Sequence, residues 1–170
     1  ENDHNNLLQL VDKNHFLDKT DNPIDLVSLK PNDAYLLNRN DLSLRVPVEK
    51  ALRTMALEAK SEGITIVASS TYRSYEYQEA LFERNVKELG VQEAERESAR
   101  AGTSQHQLGT VVDFGSITDD FALTKAGIWL DTNASRFGFS LSFPKGYEEI
   151  TGYRWECWHY RYIGVEACVL

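Results

Sequence analysis

Apolar residues at helical spacing mark the first regular element of the chain. They recur every three to four residues after Pro47, at positions 48, 51, 52, 55 and 59. This period predicts one face of an amphipathic helix, and proline is favoured in the first helical turn. Gly63 is typical of a helix stop, and the apolar run 64–68 behind it predicts a short buried strand.

The pattern downstream predicts further helices and strands. Ser74 is a suitable N-cap for a helix that runs through Leu89 and ends at Gly90, and a charged helix from about 91 to 100 follows. We also expect a strand near 109–114, a helix near 123–134, and strands near 137–142 and 154–163. This mixture predicts an α+β fold.

The length and composition of the chain predict a single globular domain. Its 170 residues suffice for one full core, and a hydrophobic share of 42% is ordinary. We expect residues 1–46, rich in Asn and Asp, to wrap in extended form around a core formed by 47–170, with the first six residues disordered. The net charge of −8 argues against nucleic acid and anionic lipid as partners. No apolar stretch approaches the roughly 20 residues of a membrane span.

Two polar–aromatic clusters contain side chains that suit a zinc ion. Residues 104–113 include His106 and Asp113, and residues 155–160 include Glu156 and His159. A catalytic zinc site uses three protein ligands, keeps a fourth position for water, and needs a separate carboxylate to accept the proton of that water. We therefore predict that His106, Asp113 and His159 are the ligands and that Glu156 is the general base of a metal-assisted hydrolysis.

Ligation of one ion by His106 and Asp113 requires the chain to turn back, because seven extended residues span roughly 23 Å. Gly109 supplies the backbone freedom for this turn, and the β-branched stretch 110–114 predicts a buried strand that carries Asp113. Glu156 and His159 are three residues apart and would face opposite sides of a regular strand. We therefore predict an interruption of the strand near residues 157–158.

Each of these residues also has an ordinary structural interpretation. A histidine in an aromatic strand is typical of a core residue, His106 fits a polar loop, and Glu156 alone fits a surface charge. Asp113 in an apolar strand is harder to explain this way, since a buried unpaired carboxylate is costly. Four independent coincidences would be needed, whereas the metal site needs one, and we favour the metal site.

These residues resemble the VanY-like zinc carboxypeptidases of bacterial cell walls, in the superfamily of lysostaphin, D-Ala-D-Ala carboxypeptidase and the hedgehog signalling domain. The family pattern Ser-x-His-x-x-Gly-x-Ala-x-Asp matches residues 104–113, with Val111 in place of alanine. Glu-x-Trp-His matches residues 156–159, with Cys157 where proline is common. Ser-x-Tyr-Arg-Ser-x-x-x-Gln matches residues 70–78, and the similarity extends from about 45 to 164.

The resemblance implies a small, mostly antiparallel sheet that carries the zinc site and is flanked by helices. It repeats the ligand set and the base given above, and it implies that Arg73 stabilises the oxyanion of the tetrahedral intermediate. Substrate-binding residues implied by it are Ser104, Gln78, Tyr72 and Trp158. We expect loops 117–126 and 143–153 to shape specificity, and Tyr147 and Tyr153 of the second loop are further candidates.

By the same resemblance, residues 47–170 form a carboxypeptidase core that binds one zinc ion and removes a C-terminal D-Ala from peptidoglycan stem peptides. The alternatives are an L,D-carboxypeptidase of tetrapeptide stems and an inactive, zinc-stabilised binding module. We expect a monomer in the extracytoplasmic bacterial cell envelope, with an export signal or anchor outside this sequence.

The two cysteines leave several alternatives open. Cys157 and Cys168 fit either a disulfide or two free buried thiols. Cys157 as a fourth zinc ligand is disfavoured, because four protein ligands would close the site to water.

Overall fold

The computed structural model describes residues 5–169, so residues 1–4 of the predicted disordered segment lie outside the described residues. Asn5 and Asn6 complete that segment and are held by neighbours. The Arg45 guanidinium donates to the Asn5 carbonyl, and the Asn6 side chain donates to Gln9. The predicted disorder therefore does not hold for these two residues.

Seven strands form two sheets in the described part of the chain. They are β1 Leu26–Ser28, β2 Leu36–Leu37, β3 Ser43–Arg45, β4 Val67–Ser70, β5 Val111–Phe114, β6 Phe139–Leu141 and β7 His159–Tyr162. β1 pairs with β3, and the main sheet has five strands in the order β2-β4-β5-β7-β6. Within this sheet β2 and β4 are parallel and the other neighbours are antiparallel. The predicted α+β fold with a small, mostly antiparallel sheet is confirmed.

Helices flank this sheet, and three short 3₁₀ turns connect the described elements. The helices are α1 Val46–Ser61, α2 Tyr75–Leu89, α3 Val91–Glu97, α4 Lys125–Asn133, α5 Glu148–Thr151 and α6 Val165–Cys168. The 3₁₀ turns are Gln105–Leu108, Asp119–Leu123 and Ala134–Phe137. None of the helices among residues 5–169 combines the length and the apolar run that crossing a membrane requires.

The two faces of the main sheet have different roles. Side chains alternate along a strand, so Val112 and Phe114 of β5 enter the hydrophobic core while Asp113 points the other way. β7 repeats this division, with Tyr160 in the core and His159 beside Asp113 in the register of the two strands. The chain thus buries one face of the sheet against helices and builds a polar site on the other.

The first helix closes the core face. Its predicted apolar stripe is buried, with Val48, Leu52 and Met55 fully inaccessible to solvent. These side chains share one cluster with Phe114 and with Leu130 of α4. A core of this kind fixes the position of β5 and, through it, the position of Asp113.

Several predicted boundaries were confirmed, and others need correction. α2 begins after Ser74, whose side chain accepts a hydrogen bond from the Tyr77 amide, and it ends at Gly90 with a φ of 82°. The strand predicted at 64–68 is observed as β4, which begins only at Val67. It begins later than predicted because the Ile64 amide still donates to the Ala59 carbonyl at the end of α1. The strand predicted at 154–163 begins only at His159.

Smaller differences occur at the other elements. α3 ends at Glu97 rather than near 100, and the helix predicted at 123–134 is α4, preceded by a 3₁₀ turn. The strand predicted at 137–142 is β6, preceded by another 3₁₀ turn that ends at Gly138 with a φ of 88°. At α4 and β6 a 3₁₀ turn takes the place of the first residue predicted for the element.

The N-terminal segment takes part in both sheets. It contributes the antiparallel pair β1–β3, which forms the smaller sheet, and the edge strand β2, which pairs with β4 in the main sheet. Its residues 10–14 also line the cleft described below. The division of the chain into a wrapping segment, 1–46, and a core, 47–170, stays a prediction.

Candidate metal centre

Three elements bring the predicted ligands together on the polar face of the sheet. The chain reverses after His106 through a 3₁₀ turn that ends at Gly109 with a φ of 71°, so that β5 brings back Asp113. His159 opens β7 directly opposite Asp113. One ligand atom from each of the three residues lies within 4.8 Å of the others, and all three residues are buried.

The hydrogen-bond partners of His106 determine which of its nitrogens is free. Nδ1 lies 2.6 Å from the Thr71 carbonyl oxygen, which can only accept a hydrogen bond. Nδ1 therefore carries the hydrogen, and Nε2 presents its lone pair 3.3 Å from Asp113 Oδ2. Burial, and next the Arg73 guanidinium, lower the pKa of His106 to about 4, which keeps the imidazole neutral and able to bind a metal.

His159 has the opposite arrangement. Its Nε2 lies 2.9 Å from Gln105 Oε1, an acceptor, so Nε2 carries the hydrogen. Its Nδ1 lies 3.3 Å from Asp113 Oδ1. No hydrogen-bond donor within the described residues satisfies this buried Oδ1. Burial raises the pKa of Asp113, but the net shift of this pKa is downward, so the carboxylate stays ionised.

Two nitrogen lone pairs therefore face the two oxygens of one buried carboxylate. Oδ2 has Arg73 Nη2 as a donor at 3.4 Å, whereas Oδ1 has no donor among the described residues. A cation between the two nitrogens and this carboxylate would satisfy the remaining lone pairs. Two imidazoles and one carboxylate are ligands that zinc accepts, and they leave a coordination position for water. The residues present thus fit a catalytic zinc ion.

Glu156 lies beside the ligands without belonging to them. Its Oε2 is 3.6 Å from His159 Nδ1, and its side chain is 13% exposed. Burial, and next the charge of Asp113, raise the pKa of Glu156 to about 8. A carboxylate at this place could exchange a proton with a water molecule that a bound metal ion would hold.

The predicted interruption of the strand places Glu156 on the same side as His159. Residues 157–158 form a turn, and the Glu156 amide donates to the Phe143 carbonyl at 3.0 Å. The same turn directs the buried Cys157 thiol away from the centre, 3.4 Å from the Thr118 carbonyl. Cys157 is therefore not a ligand, and both cysteines of the described chain are free thiols.

Arg73 lies beside Oδ2 of Asp113, whereas His159 lies beside Oδ1. Arg73 Nη2 lies 3.4 Å from Asp113 Oδ2, Nη1 of the arginine donates to Gln78 Oε1 and its Nε to Ser70 Oγ. Gln78 is buried, and its amide nitrogen donates to the Ala99 carbonyl at 2.8 Å. Three partners thus fix one positive charge beside the ligand set.

A cleft of about 980 Å³ opens onto these residues. Of the predicted substrate contacts, Ser104, Gln78, Trp158 and Tyr153 line it. Ser104 also accepts a hydrogen bond from the His106 amide, which begins the 3₁₀ turn. The loops predicted to shape specificity contribute residues 117–120, 143 and 149–153, while Arg154 and the unpredicted segment 10–14 form other parts of the wall.

Two predicted contacts lie elsewhere. The Tyr72 hydroxyl donates to Asn22 at 2.8 Å, and neither Tyr72 nor Tyr147 lines the cleft. Tyr72 follows the end of β4 and lines a smaller pocket together with Ser74 and Tyr77. A role of Tyr72 and Tyr147 in substrate binding stays a prediction.

Sequence reasoning missed two groups that orient the ligands, the Thr71 carbonyl and Gln105. A backbone carbonyl has no residue-specific signal. Gln105 stands next to His106 in the motif, but its partner is the distant His159. The neighbouring Phe143 ring packs on His159 with ring centres 4.7 Å apart, a contact that the sequence does not indicate either.

Comparison with known proteins agrees with this geometry. Residues 41–165 match the family model VanY, D-alanyl-D-alanine carboxypeptidase. The Bacillus subtilis (strain 168) protein YodJ, named as a carboxypeptidase, is 36% identical over 168 residues; the match covers 95% of this chain and 62% of that relative.

Solved structures are similar over nearly the whole chain. The LdcB LD-carboxypeptidase superposes with a TM-score of 0.85 at 33% identity, covering 97% of this chain and 80% of the other. The D,D-pentapeptidase VanY from the VanB-type resistance cassette, in complex with Zn(II), gives a TM-score of 0.80 at 30% identity, covering 96% and 91%. A structure of VanYB with D-alanine-D-alanine is similar to the same extent.

Proposed function

Because the chain belongs to the VanY family of D-alanyl-D-alanine carboxypeptidases, we propose that it is a zinc-dependent D,D-carboxypeptidase that removes the C-terminal D-Ala from peptidoglycan stem peptides. The observation that carries this proposal is the set of lone pairs that His106 and His159 direct at Asp113, with Glu156 beside them. This set matches a zinc ion with an open position, and the carboxylate supplies the base that hydrolysis needs.

His106 Nε2, Asp113 and His159 Nδ1 would hold the ion. When bound, zinc supplies Lewis-acid polarisation and lowers the pKa of a water molecule to about 7. Zinc also favours the ionised form of the nearby Glu156, opposing the burial that raises its pKa.

Glu156 then accepts a proton from the attacking water, whose hydroxyl oxygen bonds to the scissile carbonyl carbon. The same carboxyl group donates the proton to the amine of the leaving D-Ala as the C–N bond breaks. The products are free D-Ala and a stem peptide that is one residue shorter. Arg73 is permanently charged and stabilises negative charge on the former carbonyl oxygen. Ser104, Gln78 and Trp158 line the cleft and bind the peptide around the scissile bond.

Peptidoglycan lies outside the cytoplasm, so the proposal places the protein in the extracytoplasmic cell envelope. The proposal also takes the protein as a monomer.

L,D-carboxypeptidase activity is the second candidate, and the similarity to LdcB favours it. The two reactions differ in the residue before the scissile bond, whereas the ligands, base and arginine are shared. A binding module without catalysis is disfavoured, because Glu156 and Arg73 both lie at the metal centre.

Product analysis distinguishes these candidates. Zinc-loaded protein is incubated with muropeptide pentapeptides and tetrapeptides in parallel, and products are read by mass. Loss of the fifth residue supports the D,D-carboxypeptidase, and loss of the fourth from the tetrapeptide supports the L,D-carboxypeptidase. If zinc is bound and neither substrate is cut, the enzymatic proposal is wrong and the binding module is favoured.

A further inference from the structure

The two histidines of the centre are oriented by different kinds of partner. The acceptor for His106 Nδ1 is the Thr71 backbone carbonyl. A side-chain substitution cannot remove this carbonyl. The acceptor for His159 Nε2 is a side-chain oxygen, Gln105 Oε1. The orientation of His159 therefore depends on one substitutable residue.

Gln105 Oε1 is itself held in place. It accepts the Ser142 hydroxyl hydrogen at 2.7 Å, in addition to the hydrogen of His159 Nε2 at 2.9 Å. Ser142 follows β6, and its backbone amide donates to the His159 carbonyl at 3.4 Å. Ser142 thus contacts His159 through its backbone and Gln105 through its side chain. These two contacts position Gln105 relative to His159.

This arrangement selects the tautomer of His159. With an acceptor at Nε2, the hydrogen stays there and Nδ1 offers its lone pair to the metal. Without that acceptor, the hydrogen can move to Nδ1, where unpartnered Asp113 Oδ1 lies 3.3 Å away and would accept it. A hydrogen bond from His159 Nδ1 to Asp113 Oδ1 would leave neither of these two atoms free to bind the metal.

We propose that Gln105 is a positioning residue that keeps His159 in its metal-binding tautomer and thereby sets the zinc affinity of the site. The proposal rests on the zinc site of the proposed function. Partners of metal-bound histidines typically change metal affinity or activity by about 10- to 100-fold when they are substituted. Because Gln105 touches neither Glu156 nor Arg73 in the described contacts, its effect is on holding the metal.

The test measures zinc dissociation constants by chelator competition for wild type, Gln105→Leu and Gln105→Glu. Gln105→Leu removes the acceptor and is expected to weaken zinc binding about 10- to 100-fold. Gln105→Glu keeps an oxygen acceptor and is expected to restore wild-type or tighter binding. Gln92→Leu, a change of the same kind at an exposed site on α3, is the matched control and should bind zinc like wild type.

Nitrogen NMR of the metal-free proteins supplies a readout that loss of packing alone would not move. The His159 ring should carry its hydrogen on Nε2 in wild type and in Gln105→Glu, and on Nδ1 to a measurable extent in Gln105→Leu. An unchanged tautomer and unchanged zinc affinity in Gln105→Leu would overturn the proposal. Equal losses in Gln105→Leu and Gln105→Glu would also overturn it, because they would indicate disrupted packing. Failure of the wild type to bind zinc would instead reject the proposed function.

Discussion

Replacement of Glu156 by glutamine tests the division of labour in the metal centre. Glutamine has nearly the same shape but cannot accept a proton at neutral pH. Glu156 is not among the three ligands, and its backbone amide bond to Phe143 does not depend on the side chain. Glu156→Gln should therefore abolish turnover and leave zinc bound.

The size of the effect follows from the role of a general base. Such a group typically contributes about 10²- to 10⁴-fold in rate, which is roughly 3–5 kcal/mol of activation free energy. The nearly buried side chain, 13% exposed, leaves little room for bulk water to replace the carboxylate, so we expect the upper part of this range. Zinc affinity should change much less than the about 10- to 100-fold typical of residues that orient a ligand.

The assay compares release of D-Ala from a stem pentapeptide with zinc content in the same preparations. Glu83→Gln, an equivalent change at an exposed position of α2, is the control and should behave as wild type in both. Wild-type turnover by Glu156→Gln would refute the assignment of the base. Loss of zinc together with turnover would show that Glu156 is a ligand instead.

Three further substitutions probe other parts of the account. Arg73→Lys should lower kcat by about 10²- to 10³-fold without weakening zinc binding, because it disturbs the charge that stabilises the oxyanion, and steady-state kinetics with metal analysis would check both. Loss of zinc in this variant would argue against that role. Cys157→Ala should retain zinc and turnover, since the thiol faces the Thr118 carbonyl; loss of the metal on dialysis would restore Cys157 as a ligand. Leu52→Ala, at a position with no exposed surface, should lower the free energy of unfolding by about 2–5 kcal/mol in urea denaturation, and a change below that range would question the packing of α1.

The grouping of His106, Asp113 and His159 could be predicted from the sequence because it depends on local pattern. The reversal at Gly109 and the turn at residues 157–158 follow from spacing alone, since straight strands could not bring those side chains to one ion. Helix ends at Ser74 and Gly90 were equally local, because a capping side chain and a positive φ are properties of single residues.

Features that depend on distant partners were not predicted. The edge strand β2 consists of Leu36–Leu37, too short to show a period, and it exists because β4 offers its edge. Segment 10–14 reaches the cleft through contacts such as the one from the Lys13 ammonium to the Glu95 carbonyl, 82 residues away. Gln105 acquires its role only when β7 delivers His159 beside it.

Metal dependence of D-Ala release from a stem pentapeptide tests the central claim most directly. The protein is stripped of metal with a chelator, assayed, and assayed again after one equivalent of zinc is returned. We predict one zinc per chain, no release after stripping, and recovery on addition of zinc, whereas His106→Ala should neither bind zinc nor recover. Undiminished release from fully metal-free protein would contradict the claim.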